Sequence, residues 1–238
     1  MDSRIQSYLR SVVAAEREAV KAGSYVLYLN PFSDHAYLNY AIPVEGASSG
    51  DGAELVAAAR ERGLVPRLEF IEPCFPWVED ALAPVGFIVE GRLRVMTCSQ
   101  ALDCASPAEI VRVEARSPLV RPAMTATRAA FGEGPPGDDE VEASSGRIVA
   151  ALVGGEVVGG AGWTRVLDGM SEIVGVGVLE EHRRRGIAGA LTAAATRAAF
   201  AEGANLALLT PGDDSTARVY ERAGFADTST MLHLRTPD

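Results

Sequence analysis

Hydrophobic positions along the chain follow two rhythms. Ile5, Tyr8, Leu9, Val12, Val13 and Val20 recur near a 3.6-residue period and predict an amphipathic helix over residues 2–22. The runs 24–30, 36–44 and 67–72 read as strands, the first stopped by Pro31. Helices are predicted over 53–63 and over 75–86, each closed by a glycine, with strand material at 87–98. Residues 45–52 read as a loop and 99–109 as a linker.

The second run begins with a strand at 109–115 and a helix at 118–132. Residues 132–140 (GEGPPGDDE) read as a mobile loop by composition. A hairpin is predicted over 148–166, with Gly154-Gly155 at its turn. Strands at 171–179 and 205–210 flank a long helix; another helix and a final strand follow. Strands and helices alternate after residue 170, which predicts an α/β or α+β fold, a mixed sheet flanked by helices.

The two runs share a frame. Gly63 precedes a strand, Pro73, a helix and Gly86-Phe87; Gly203 precedes a strand, Pro211, a helix and Gly224-Phe225. Twelve residues separate the proline from the glycine in both, and seventeen steps back from Gly63 and Gly203 reach Gly46 and Gly186. At 238 residues the length falls between one and two domains of about 150 residues. The repeated frame favours two similar units, 1–107 and 108–238.

Composition narrows the chemistry. The net charge of −10 argues against a broad nucleic-acid surface, because phosphate backbones need a basic face. Lys21 is the sole lysine, so a lysine Schiff base has no candidate in the body of the fold. Cys74, Cys98 and Cys104 form no disulfide framework and suit a reducing compartment. His35, His182 and His233 are scattered, and no Cys/His spacing fits zinc. No signal peptide and no apolar run long enough to span a membrane is read, so a cytoplasmic protein is expected.

The chemistry concentrates in Arg183-Arg184-Arg185-Gly186-Ile187-Ala188-Gly189, between a strand and a long helix. Amides of a first helical turn lack intrahelical acceptors, glycines allow close approach and arginines add charge, so the segment is read as a pyrophosphate site rather than a solvated basic turn. There is no GxxxxGK[ST] loop, and Gly175 and Gly177 lack the third glycine of a dinucleotide fingerprint.

This arrangement resembles the GNAT superfamily of N-acetyltransferases, whose signature [QR]-x-x-G-x-[GA] is matched by Arg183, Gly186 and Ala188. The resemblance spans roughly 109–235 and includes the hairpin before the signature strand and the downstream ARVYERAGF at 217–225. It implies an acyltransferase with acetyl-CoA as co-substrate, no metal and no covalent intermediate. Val176, Gly177 and Val178 would pair with the pantetheine arm where strands 171–179 and 205–210 splay. Amides of 184–189 would hold the pyrophosphate.

By the same resemblance Tyr220 corresponds to the tyrosine that protonates the departing thiolate; it also reads as a core tyrosine beside Val219 and Ala223. Glu172 resembles the base of the histone-acetylating branch; it also reads as an exposed strand-end carboxylate. Asp213 and Asp214 stand near the expected CoA site and are preferred as helix caps. His182 reads as a surface residue, and Trp163 as either a pocket or a core residue.

Register comparison sets Pro43-Val44-Glu45-Gly46 opposite Arg183-Arg184-Arg185-Gly186 and Leu82 opposite Tyr220. Glu45 and Asp51 would repel a pyrophosphate. Residues 1–107 are therefore expected to form a degenerate acetyltransferase-like domain without a CoA site. The expected reaction is acetyl transfer to a small-molecule amine in a ternary complex, with no nucleic-acid or membrane partner. A non-catalytic acyl-CoA-binding module, or acetyl transfer to a thiol or sugar-amine metabolite as in mycothiol synthase-like proteins, stands as the alternative.

Overall fold

A computed structural model of the chain describes residues 1–33, 35–47 and 52–237. Asp51, the acid expected to repel phosphate in the 45–52 loop, lies outside the described residues. The chain separates into two compact units, Met1–Val95 with Thr228–Asp238, and Met96–Asp227.

The first unit opens with helix α1 (Asp2–Glu16), shorter than the 2–22 expected from periodicity. Strand β1 (Glu18–Ala22) takes the remainder, pairing antiparallel with β2 (Tyr25–Leu29) from Ala22↔Tyr25 to Glu18↔Leu29. Gly23, at φ +60°, turns the chain between them. The hairpin wins over the helix because a two-residue Gly-Ser turn closes it at once. The 36–44 run divides into a single 3-10 turn at Ala36–Leu38 and β3 (Tyr40–Pro43).

Helix α2 (Ala53–Arg60) then leads to β4 (Arg67–Ile71), which lies parallel to β3 through Ala41↔Leu68. Helix α3 (Val78–Leu82) and a 3-10 turn at Ala83–Val85 lead to the long strand β5 (Ile88–Cys98). The strand order is β1-β2-β3-β4-β11-β5, where β11 (Ala226–Arg235) is the last strand of the chain and lies antiparallel to β4 from Met231↔Ile71 to Arg235↔Arg67. Alternation along β2 sends Tyr25 and Leu27 into a core with Leu55 and Ala59 of α2, and Tyr28 into a patch with Val13 of α1.

In the second unit the tail of β5 pairs antiparallel with β10 (Leu206–Leu209), at Cys98↔Ala207 to Met96↔Leu209. Next come β9 (Met170–Val178), β8 (Glu156–Trp163), β7 (Ile148–Val153) and β6 (Glu109–Val113). Helix α4 (Val120–Ala130) and the short α5 (Asp138–Glu142) lie between β6 and β7 in sequence; α6 (Ile187–Ala201) follows β9 and α7 (Asp214–Arg222) follows β10. In β7, Val149 and Ala151 join the core that includes Leu191 and Ala195 of α6, whereas Ala150 joins Val120 and Ala123 of α4. A period of two thus buries both faces of the sheet under helices.

These units do not coincide with the 1–107 and 108–238 division expected from sequence. Strand β5 runs on past Val95 to pair with β10, and the last strand returns to pair with β4. The segment expected to be a linker is packed: Leu102 donates its amide to Ala223 O, and Cys104 Sγ lies 3.6 Å from Arg222 O. The loop expected to be mobile is pinned to α4. Arg128 donates to Gly134 O (2.8 Å) and Glu140 Oε2 (2.6 Å), and Arg121 to Pro136 O and to Asp138.

The shared frame has a backbone counterpart. Gly46 and Gly186 stand at φ +80° and +81°, Gly63 and Gly203 at +69° and +102°, and Gly86 and Gly224 at +93° and +101°. All three pairs occupy the left-handed region that favours glycine. Both halves also read strand, helix, parallel strand, helix, strand: β3-α2-β4-α3-β5 and β9-α6-β10-α7-β11.

Candidate acyl-CoA site

The site begins where two parallel strands part. Strand β10 pairs with β9 only through Leu206↔Met170, Ala207↔Ser171 and Leu208↔Glu172. Beyond Glu172, β9 keeps its antiparallel partner β8 and runs on to Val178. The parting has a local cause. Gly160↔Gly177 and Gly162↔Val174 leave Ala161 opposite two residues, Gly175 and Val176. Gly175 takes φ +59°, as the glycine of a β-bulge does. A bulge bends its strand and increases the local twist, so the end of β9 swings away from β10.

Glycines of β9 and β8 also admit α4. A β-carbon on Gly177 would lie 2.9 Å from Thr127 O, and one on Gly160 2.7 Å from Thr127 Oγ1. Gly175 and Gly177 therefore serve helix–sheet contact and the bulge.

After Val178 comes a 3-10 turn at Glu180–His182, and then the arginine segment. Arg184, at φ +61°, and Gly186, at φ +81°, fold it back into α6. A non-glycine residue in this region is uncommon and costs energy that the surroundings must offset. Gly186 is the N-cap residue and offers no capping side chain. Among the described residues, the amides of Arg184, Arg185, Gly186, Ile187, Ala188 and Gly189 find no acceptor. Six such donors at one helix start, facing its positive dipole end, suit an anion with several oxygens.

The side chains of this segment have different tasks. Arg184 and Arg185 are exposed, with no ion pair among the described residues. Arg183, expected to add charge beside them, is engaged elsewhere: Nε donates to Val178 O (2.9 Å) and Nη2 to Ala130 O (3.0 Å). Its own amide donates to Glu180 O. Ile187 is 1% exposed and belongs to the core, leaving only its amide for a ligand. A β-carbon on Gly189 would meet Cys104 Sγ at 3.4 Å and Val219 Cγ1 at 3.8 Å, ordinary packing distances.

Tyr220 lies on α7, 7% exposed, in the same core cluster as Ile173, Val178, Ile187 and Leu191. Phe225 packs against it at 6.4 Å between ring centres. Burial, helped by the Asp213 carboxylate, pushes its phenol up to about 12. A neutral phenol is therefore maintained throughout the working pH range.

Asp213 is the cap of α7. Its Oδ1 accepts from Thr216 N at 2.7 Å and Ser215 Oγ at 2.8 Å, and the Thr216 amide hydrogen bond leads in holding its carboxyl down to about 2. Glu172 is half-buried at the last β9–β10 pair, and its backbone is fastened by Thr164 Oγ1, which accepts its amide at 2.8 Å. Trp163 is a core residue, 3% exposed, with the Arg112 guanidinium 5.2 Å above its ring.

Sequence reasoning missed the bulge at Gly175 and the structural engagement of Arg183. The pair Gly175-x-Gly177 in a strand was the available signal for the first.

Against known proteins, residues 117–225 match the model of the acetyltransferase (GNAT) family, just under half of the chain. No curated protein matches the chain. Among solved structures, a GCN5-related N-acetyltransferase from Kribbella flavida is 27% identical, with a TM-score of 0.80 over 100% of this chain and 96% of that one. A GCN5-related N-acetyltransferase from Sphaerobacter thermophilus is 16% identical at a TM-score of 0.63, covering 90% and 81%. A tandem GNAT protein from the clavulanic acid biosynthesis pathway is 12% identical at 0.55, covering 91% and 80%. The chain is thus similar to GNAT acetyltransferases, a class that implies acyl transfer from an acyl-CoA. The matched segment contains the parted strands, the arginine segment and Tyr220. Among the described residues, no helix is long and apolar enough to cross a membrane, and no cluster of potential metal ligands occurs.

Proposed function

We propose that the protein transfers an acetyl group from acetyl-CoA to an amine of a small molecule, by direct attack with both substrates bound. The observation that carries this reading is the row of six unpaired amides from Arg184 to Gly189, beside the open end of β9. The amides suit the pyrophosphate, with Arg184 and Arg185 adding charge, and Val176 and Val178 are read as offering backbone groups to an extended arm, while Gly177 turns its own toward β8.

In the step itself the amine nitrogen forms a bond to the thioester carbonyl carbon while the carbon–sulfur bond breaks. Glu172 takes the proton the nitrogen loses, and Tyr220 gives one to the departing thiolate. The Val178 N–H is offered to the carbonyl oxygen as negative charge develops. A phenol raised to about 12 stays protonated across the neutral range, so its proton is present for donation.

Residues 1–107 are read as a degenerate acetyltransferase-like unit. The three matched left-handed glycines and the repeated element order support an internal duplication. Glu45, opposite Arg185, is paired to Arg10 at 2.8 Å, and Leu82, opposite Tyr220, is fully buried. Neither residue is suited to a phosphate or a thiolate.

The test is free-thiol release from acetyl-CoA across an amine panel, alongside calorimetric titration of acetyl-CoA. Wild-type turnover with at least one amine, and loss of acetyl-CoA affinity in Arg184→Ala/Arg185→Ala, are expected. Tight binding without turnover across the panel would favour an acyl-CoA-binding module, and unaltered affinity in the double variant would refute the pyrophosphate assignment.

A further inference from the structure

Arg183 opens the signature segment, yet it has the least to offer a phosphate. Its amide already has an acceptor within the protein, and one edge of its guanidinium, Nε and Nη2, is engaged with two backbone carbonyls. Those acceptors are informative. Leu179 donates its amide across to Val158 O of β8. Successive residues of a strand direct their N–H and C=O groups to opposite edges, so Val178 presents its own pair to the edge that β10 has vacated. Val178 O is therefore the last open-edge carbonyl of β9, and Arg183 Nε occupies it at 2.9 Å.

The second acceptor, Ala130 O, is a terminal carbonyl of α4. Phe131, Gly132 and Glu133 donate their amides to Arg128 and Ala129 instead, so Ala130 O receives none of them. A guanidinium there satisfies an orphan carbonyl and complements the negative end of the helix dipole. The locus is dense: a β-carbon on Gly177 would lie 3.0 Å from Ala130 Cβ and 3.1 Å from Thr127 Cα.

We propose that Arg183 is a positioning residue rather than a phosphate ligand. It ties the open-edge carbonyl of Val178 to the terminal carbonyl of Ala130, fixing the edge along which the acyl-CoA arm lies. It also holds the end of α4, from which the Arg128-pinned loop departs. The assignment rests on the acyltransferase reading and differs from it in what it requires of one side chain. The fork geometry matters, since Nε and Nη2 reach two carbonyls at once; a lysine keeps the charge but has a single donor nitrogen.

The experiment uses two probes on the full chain, acetyl-CoA and its nucleotide half, adenosine 3′-phosphate 5′-diphosphate. Calorimetry is run on wild type, Arg183→Lys, Arg183→Ala and Arg184→Ala/Arg185→Ala. Both Arg183 variants should bind the nucleotide half as wild type does and lose about tenfold in acetyl-CoA affinity, the scale of a lost charge-assisted hydrogen bond. The double variant should lose affinity for both probes.

Hydrogen exchange of the ligand-free Arg183 variants should quicken at the amides of residues 131–133 and at Leu179, without global unfolding. Restoration of acetyl-CoA affinity by lysine, or loss of nucleotide affinity in step with acetyl-CoA, would make Arg183 a phosphate ligand and overturn the assignment. Unchanged acetyl-CoA affinity in both variants overturns it as well. A wild type that binds neither probe overturns the acyltransferase reading itself.

Discussion

A β-carbon on Gly186 would stand 2.6 Å from the carbonyl oxygen of Ala105. The contact is with backbone, so no side chain can turn aside to relieve it. Gly186 also holds φ +81° at the start of α6. Glycine is required here twice over, once for the dihedral and once for the space.

Gly186→Ala should therefore cost about 2–3 kcal/mol, from left-handed strain together with displacement of the 104–106 backbone. Differential scanning fluorimetry should show a Tm lower by roughly 5–10 °C. Acetyl-CoA affinity should fall too, because the same shift moves the unpaired amides.

Tyr220→Phe should lower kcat by about a hundredfold, the lower range for loss of a general acid. Because the phenol titrates near 12, the wild-type rate should show no loss below about pH 11 that is absent from the variant. Stability supplies a second readout. A raised folded value means the contribution is fully present below the ordinary phenol value near 10 and is lost as pH rises toward 12. Melts between pH 9 and 12 should show the variant losing less stability than wild type.

Asp213 titrates the other way. Its folded value near 2 lies below the ordinary 3.8, so its contribution is full above the latter and disappears as pH falls through the former. Asp213→Ala should lower the Tm by about 2–4 °C at pH 7. The gap to wild type should close between pH 4 and pH 2 in acid melts. Asp213→Asn, which keeps a capping acceptor, should retain most of the stability at pH 7.

Arg128→Ala should release the 132–142 segment, since this side chain bonds Gly134 O and Glu140 and lies 3.4 Å from Glu133. Limited proteolysis should cut within 133–137 faster than in wild type, with the Tm nearly unchanged. Unaltered cleavage would show that Arg121 alone restrains the loop.

The hydrophobic pattern was sufficient for most elements. The hairpin over β7 and β8, the strands β9 and β10, and the capping role of Asp213 were all legible, because each rests on local turn chemistry or a clean period. The 2–22 helix was overextended because Val20 fits both a helical stripe and the alternating pattern of β1. The 132–140 loop looked mobile because composition does not reveal that Arg121 and Arg128, seven residues apart on α4, present one face to it.

By itself, then, the sequence marked out the arginine–glycine segment between a strand and a helix and the repeated glycine frame, and its resemblance to GNAT acetyltransferases pointed to Tyr220. Each is a matter of residue type at fixed spacing within one stretch of chain. Tertiary structure alone decided where β5 and β11 pair, why β9 parts from β10, and what Arg183 holds. Strand partners and side-chain acceptors depend on residues remote in sequence: Arg183 and Ala130 are fifty-three positions apart. Periodicity reports which face of an element is buried, and it carries no information about which distant carbonyl a guanidinium will meet.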